Sequence, residues 1–306
     1  MGIVLRWYLI DLCSPFKFKS MVKLLIELLE LLRAAAPLLF SLSVFTLFGI
    51  LCSKSIKKYS TIYYIVFGVP FALVMISFIG RLIGVEWLQL NYRAIPFMSE
   101  ITRDYIHMAA FGHPLLILIM YMGALDPKIP SVKKLLSIRK ELSIISGFPV
   151  LTHSLIRVTN NFPNSLKFFT NNAEYMENAS VSSELGAGIS SFSLVIGIFL
   201  LIIFLPLWVT SFNSVHKRMG GVKWKKLQKW SYVLYAILFI HAVGIQIGGI
   251  LNPRGGHHAK PAVEIVIHLG SLVLIYGSYL YLRLRKAKRC KKKNSNMIPI
   301  KTGRLS

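Results

Sequence analysis

Runs of roughly 20 largely apolar residues, each long enough to cross a hydrocarbon core as a helix, alternate along this chain with loops rich in Lys and Arg. Seven can be marked, at about 34–52, 61–85, 105–125, 141–158, 188–212, 230–250 and 262–282. Backbone in lipid must satisfy its own N–H and C=O groups, so spanning elements of this length are helices. The expected fold is all-α, a polytopic membrane helix bundle of about seven spans in a lipid bilayer. A mean hydropathy of +0.58 with 54% hydrophobic residues argues against an ordinary soluble domain.

A net charge of +24 raises the question of nucleic acid. The cations lie in short loops beside the spans and in the tail, where the positive-inside rule places them, so no nucleic-acid partner is expected. Loops 53–60, 126–140 and 213–229 and the tail are rich in Lys and Arg, whereas 86–104, 159–187 and 251–261 are poorer. This asymmetry predicts a cytoplasmic C-terminus. Cys13, Cys52 and Cys290 have no spacing that suggests a disulfide framework or thiolate metal site.

The N-terminal region is divided into an interfacial segment, 1–33, and an extra span with its basic loop, 34–60. The apolar stretch that opens the chain gives way to Asp11, Lys17 and Lys19 rather than to a small-residue cleavage site, so the start is expected to be retained. Charges at 23, 27, 30 and 33 line one face of a helix, which suits an interfacial helix. Seven spans and a cytoplasmic tail place this basic segment outside, unless a further spanning or re-entrant piece lies within 1–33. Residues 159–187 are Asn- and Ser-rich without periodicity and read as an exposed loop. Asn178-Ala-Ser180 within them matches a glycosylation acceptor pattern.

An ionisable or ligating side chain inside a span is expensive and points to function. The fourth and sixth spans both start from basic loops. Counted from Glu141 and Lys229, His153 and His241 each lie twelve residues in, about 18 Å along a helix. Two neutral imidazoles at one depth on parallel helices can approach a flat macrocycle from opposite faces, as bis-histidine haem ligation requires. The ordinary alternative is a hydrogen-bonded histidine between helices.

The surrounding residues add a resemblance. Arg139-Lys140-Glu-Leu-Ser-Ile-Ile-Ser-Gly147-Phe-Pro-Val-Leu-Thr-His153 resembles the first ligand helix of the ferric reductase-like transmembrane domain superfamily. Leu205-Pro-Leu-Trp-Val-Thr-Ser211, Trp224-x-x-Leu227 and His241 resemble that superfamily's next motifs in order and spacing. Within it, the likeness is to the small haem-binding membrane subunits of bacterial periplasmic methionine sulfoxide reductase systems.

The resemblance covers about residues 61–285, a six-helix cytochrome b-like core, and leaves 286–306 as a basic cytoplasmic tail. It implies one b-type haem between His153 and His241 as axial ligands of the iron. Members often carry a second histidine pair thirteen or fourteen residues earlier; here those positions hold Arg139 or Lys140 and Gln228, which removes the inner haem.

Arg157, one turn beyond His153, is the better candidate for a haem propionate, with Arg81 second. His107, His113 and His268 are expected to play interhelical polar roles. The alternative is that His113 or His268 replaces a haem ligand, lines a quinone pocket, or helps hold a metal substrate with His257 and His258. His216 is expected to be solvated.

The sequence holds no G-x-G-x-x-G or G-x-x-x-x-G-K in a strand-to-helix setting, so any flavin or nicotinamide domain is expected to be a separate protein. The expected activity is an electron-transfer subunit of an oxidoreductase. It would relay electrons through one haem, from quinol or a separate flavoprotein, to an extracytoplasmic reductase partner or a metal ion such as iron. The rival is a haem-free transporter or channel with intramembrane His and Arg lining a polar path.

Overall fold

The computed structural model describes residues 22–23, 37–91, 94–96, 98, 102, 109–178, 183–252 and 262–295. Regular structure among them is helical throughout, as lipid-length apolar runs require. Helices α1 (Pro37–Leu51), α2 (Ser53–Lys58) and α3 (Ser60–Leu82) come first, and one 3-10 turn, Glu86–Leu88, follows. Next are α4 (Gly112–Ala124), α5 (Pro130–Ser137), α6 (Arg139–Asn160), α7 (Phe162–Thr170), α8 (Asn172–Asn178) and α9 (Glu184–Val209). The chain continues through α10 (Asn213–Met219), α11 (Gly221–Gln228), α12 (Trp230–Leu251) and α13 (Ala262–Ser295).

Five described helices are long and apolar enough to cross a membrane: Ser60–Leu82, Arg139–Asn160, Glu184–Val209, Gly221–Leu251 and Val266–Arg289. Leu38–Leu51 and Gly112–Ala124 are apolar but shorter. The protein is an all-α, multi-pass membrane bundle.

The bundle is built around α4. Its residues Pro114 to Met120, with Met122 and Ala124, are all buried, as expected of a helix that is apolar all round. One side of α4 joins Leu200, Phe204 and Leu207 of α9, Leu234 and Tyr235 of α12, and Leu272, Ile275 and Tyr276 of α13. The other packs on Ile56 of α2, Leu135 of α5, and Leu142 and Ile145 of α6. The C-terminal carbonyls of α4, which a helix cannot satisfy internally, are reached from α13. Arg283 Nη1 donates to the Gly123 carbonyl at 3.0 Å, and Lys286 Nζ donates to the carbonyls of Gly123 and Leu125 at 2.9 and 3.3 Å.

Helices α9 and α12 approach most closely because their facing residues are small. A Cβ on Gly244 would collide with the Ser193 hydroxyl, one on Gly248 with the Ser190 hydroxyl, and one on Gly186 would lie 2.8 Å from the Asn252 amide nitrogen. Lipid gives helices no hydrophobic reason to associate, so close backbone packing through small residues supplies the contact. Ser183 begins α9 by accepting the Gly186 N–H at 3.2 Å, an N-cap that a serine side chain suits.

The structure corrects the expectation for 159–187, where α7 and α8 stand in place of an exposed loop. Pro163 is pre-set for the first turn of α7, Ser165 is buried, and the Phe168 ring lies 3.0 Å from where a Cβ on Gly188 would be. Asn and Ser had hidden this short inward face. The basic loops 126–140 and 213–229 likewise carry α5, α10 and α11. Gly220, at φ 79°, makes the left-handed turn between α10 and α11 that a residue with a Cβ resists. Of the expected interfacial helix in 1–33, only residues 22–23 are described; the rest, with His107, His257, His258 and Ser180, lie outside the described residues.

Candidate functional site

His113 is the common neighbour of two other predicted histidines. A charge on either His241 of α12 or His153 of α6 is felt electrostatically at His113 of α4, so imidazoles from three helices share one region of the bundle. Arg157 is likewise felt at His241. Because His153 and Arg157 are four residues apart, they occupy one face of α6. The two helices nevertheless have little direct packing among the described residues; each packs on α9. His113, His153, Arg157 and His241 are all partly exposed rather than sealed into a core.

His241 is oriented by its own neighbours. Its Nδ1 lies 2.7 Å from the backbone carbonyl of Ser193 on α9. A carbonyl can only accept, so Nδ1 carries the proton and Nε2 is the nitrogen left to accept or ligate. The ring fits against α9 because residue 197 is glycine: a Cβ there would lie 3.2 Å from His241 Cε1 and 3.6 Å from Nδ1. Fixing one imidazole nitrogen on a backbone carbonyl is the usual way a ligating histidine is held in its tautomer. At His241, Nε2 is therefore the ring nitrogen available to accept a bond or to ligate.

His113 is committed differently. Its Nε2 lies 2.9 Å from the Tyr276 hydroxyl of α13, so this nitrogen already has a partner. His113 sits beside the other two imidazoles with that nitrogen turned to α13. His268 is 6% exposed on α13, two turns from Tyr276, and its carbonyl accepts from the Ser271 hydroxyl at 2.8 Å. Arg81 is exposed, and its guanidinium lies 5.7 Å from the Phe78 ring centre. His216 is not simply solvated as expected: its ring centre lies 4.6 Å from that of Trp224, a contact made possible by the turn at Gly220. Among the described residues, no group of three or more His, Cys, Asp or Glu side chains is placed to hold a metal ion.

The motif residues around the site touch one another. The Trp208 indole N–H of α9 donates to the Ile144 carbonyl of α6 at 3.1 Å, and its ring occupies the space that a Cβ on Gly147 would need. The Trp224 indole N–H donates to the Thr210 carbonyl at 3.3 Å, tying α11 to the end of α9. Three separate sequence segments are thus fastened by two tryptophans near the basic end of the histidine helices.

Sequence reasoning missed Ser193, Gly197 and Tyr276. The spacing of Gly186, Ser190, Ser193 and Gly197 on one helix face was a visible signal for close approach by another helix. Nothing in the sequence pointed to Tyr276 as a partner of His113.

No protein-family model matches the chain, and no solved structure matches it. It is similar to a protein of Treponema pallidum (strain Nichols) described as uncharacterized, at 24% identity over 251 residues, covering 80% of this chain and 59% of that protein. It is also similar to the magnetosome protein MamZ of Paramagnetospirillum magneticum (strain ATCC 700264 / AMB-1), at 27% identity over 179 residues, covering 52% of this chain and 26% of that protein. The chain therefore spans well under two thirds of the length of either relative.

Proposed function

We propose that the protein is a membrane b-type cytochrome that holds one haem between His153 and His241 and relays single electrons across the bundle. The observation that carries this reading is His241 itself, with Nδ1 pinned by the Ser193 carbonyl, Gly197 making room for the ring, and Nε2 left to ligate. Support comes from His153 and Arg157, one turn apart on α6 and within electrostatic reach of His113 and His241 respectively, and from the sparse direct packing of α6 on α12. When bound, the haem would supply the one-electron chemistry.

The residues of this chain do the rest. Ser193 and Gly197 orient one ligand, and Arg157 offers a guanidinium suited to a carboxylate such as a propionate. His113, held by Tyr276, stands beside the pair as a polar neighbour. Electrons would come from quinol or a separate flavoprotein and pass to an extracytoplasmic reductase partner or a metal ion. We place the protein in a bacterial inner membrane with its C-terminus in the cytoplasm, on the distribution of Lys and Arg, and within the ferric reductase-like superfamily, on the motifs around His153 and His241.

The test is a pyridine haemochrome spectrum of the purified protein and of the His153→Ala and His241→Ala variants. A b-type spectrum lost in both variants supports the reading. Absence of haem in the wild type, or its full retention in either variant, overturns it. Ion flux through haem-free protein in liposomes would favour the transporter reading instead.

A further inference from the structure

At the basic end of the bundle, α4, α6, α11, α12 and α13 border a half-open cavity of about 300 Å³. Its charged lining is wholly cationic, comprising Arg139, Lys225, Lys229 and Arg283, with no Asp or Glu among the described residues. Tyr232, Tyr235 and Tyr279 line it as well. Arg139 and Gln228 both face it, although they belong to different helices and lie fourteen and thirteen residues before His153 and His241. That separation is about 20 Å along a helix, so the cavity does not share its cations with the imidazole cluster.

Lys225 and Lys229 are exposed, but the rest of the cationic lining is held in place. Arg283 is fixed by donation from Nη1 to the Gly123 carbonyl at 3.0 Å and from Nη2 to the Tyr232 hydroxyl, and its guanidinium lies 4.8 Å from the Tyr232 ring centre. Tyr235 is 7% exposed, and the charge of Arg139 is felt at both Tyr235 and Tyr279. Among the described residues, neither Arg139 nor Arg283 pairs with a carboxylate. Topology explains basic loops, but it does not require four cations and three phenols around one concavity. Like charges held together repel, and an anion in their midst removes that cost.

We propose that this cavity binds the phosphate group of an anionic phosphate ester. Arg139, Lys229 and Arg283 would neutralise the charge, and the hydroxyls of Tyr235 and Tyr279 would donate to its oxygens. Phosphate suits the lining because it offers several acceptor oxygens to donors arriving from different helices. The boundary position gives access both to anionic lipid headgroups and to soluble phosphates. The inference stands apart from the haem reading, since neither requires the other.

The experiment compares the full chain with the Arg139→Gln/Lys229→Gln double variant and with Arg139→Lys, all in detergent. Thermal unfolding is followed against inorganic phosphate, short-chain phosphatidylglycerol and short-chain phosphatidylcholine. Saturable stabilisation of the wild type by phosphatidylglycerol but not phosphatidylcholine assigns a lipid source. Saturation by inorganic phosphate assigns a soluble one. In either case the double variant should show an apparent affinity at least about tenfold weaker, the scale of one lost charge-assisted bond, and Arg139→Lys should fall between. A wild type that responds to neither anion overturns the proposal, and so does a folded double variant that responds as the wild type does.

Discussion

Trp208 on α9 and Gly147 on α6 occupy one volume between them: the indole lies where a Cβ at 147 would be and donates to the Ile144 carbonyl at 3.1 Å. The contact fastens α9 to α6 six residues before His153 in the sequence, so the glycine acts on the site through the position of a helix.

A side chain at 147 should therefore act at a distance. Gly147→Val is expected to destabilise the protein by about 1–3 kcal/mol, the usual cost of overpacking a filled site. Trp208→Phe, which removes the indole donor and leaves most of the ring, should cost about 1 kcal/mol. Unfolding in detergent, followed by tryptophan-independent circular dichroism, measures both. A Gly147→Val protein as stable as the wild type would mean that the indole is not seated as described.

Gly197→Leu tests the orientation of His241 without touching a proposed ligand. The added side chain must displace an imidazole whose Cε1 would lie 3.2 Å from its Cβ, breaking the bond to the Ser193 carbonyl. The expected result is loss of most of the haem from a protein that still inserts and elutes as the wild type does. Full haem content in this variant would show that the Ser193 contact does not prepare His241.

Tyr276→Phe separates His113 from its hydroxyl partner at 2.9 Å. Since His113 is assigned no ligating role, haem content should stay at the wild-type level, while stability falls by about 1 kcal/mol for one lost buried hydrogen bond. A spectrum that loses haem as completely as His241→Ala would move His113 into the ligand set.

Gly248→Leu should separate α9 from α12, because a Cβ at that position meets the Ser190 hydroxyl and lies 2.9 Å from the Ser190 amide nitrogen. Backbone cannot yield as a side-chain tip does, so the cost should exceed about 3 kcal/mol. The readout is the yield of monodisperse protein after detergent extraction. By contrast, Lys286→Ala, which leaves Arg283 to serve the α4 carbonyls, should cost only about 1 kcal/mol.

The helices that carry the imidazoles were legible before any coordinates, because apolar runs of bilayer length mark them. Counting from Glu141 and Lys229 put His153 and His241 each twelve residues in; in the structure they lie fourteen and eleven residues from the starts of α6 and α12, and both are within electrostatic reach of His113. The α7 and α8 helices were not legible, since each is under ten residues long and Ser165 of α7 is their one buried residue among those described. His216 was misjudged because its ring contact with Trp224 depends on a turn at Gly220.

The sequence by itself determined that the chain is all helix, that it crosses a membrane several times, and which helices carry imidazoles. Those properties depend on local composition and on a backbone that must bond to itself in lipid. Only the tertiary structure decided which nitrogen of His241 is left to ligate, that Nε2 of His113 is taken by Tyr276, and that Arg139 and Gln228 face one cationic cavity. Those are relations between helices, set by the small residues and tryptophans that fix how closely the helices approach.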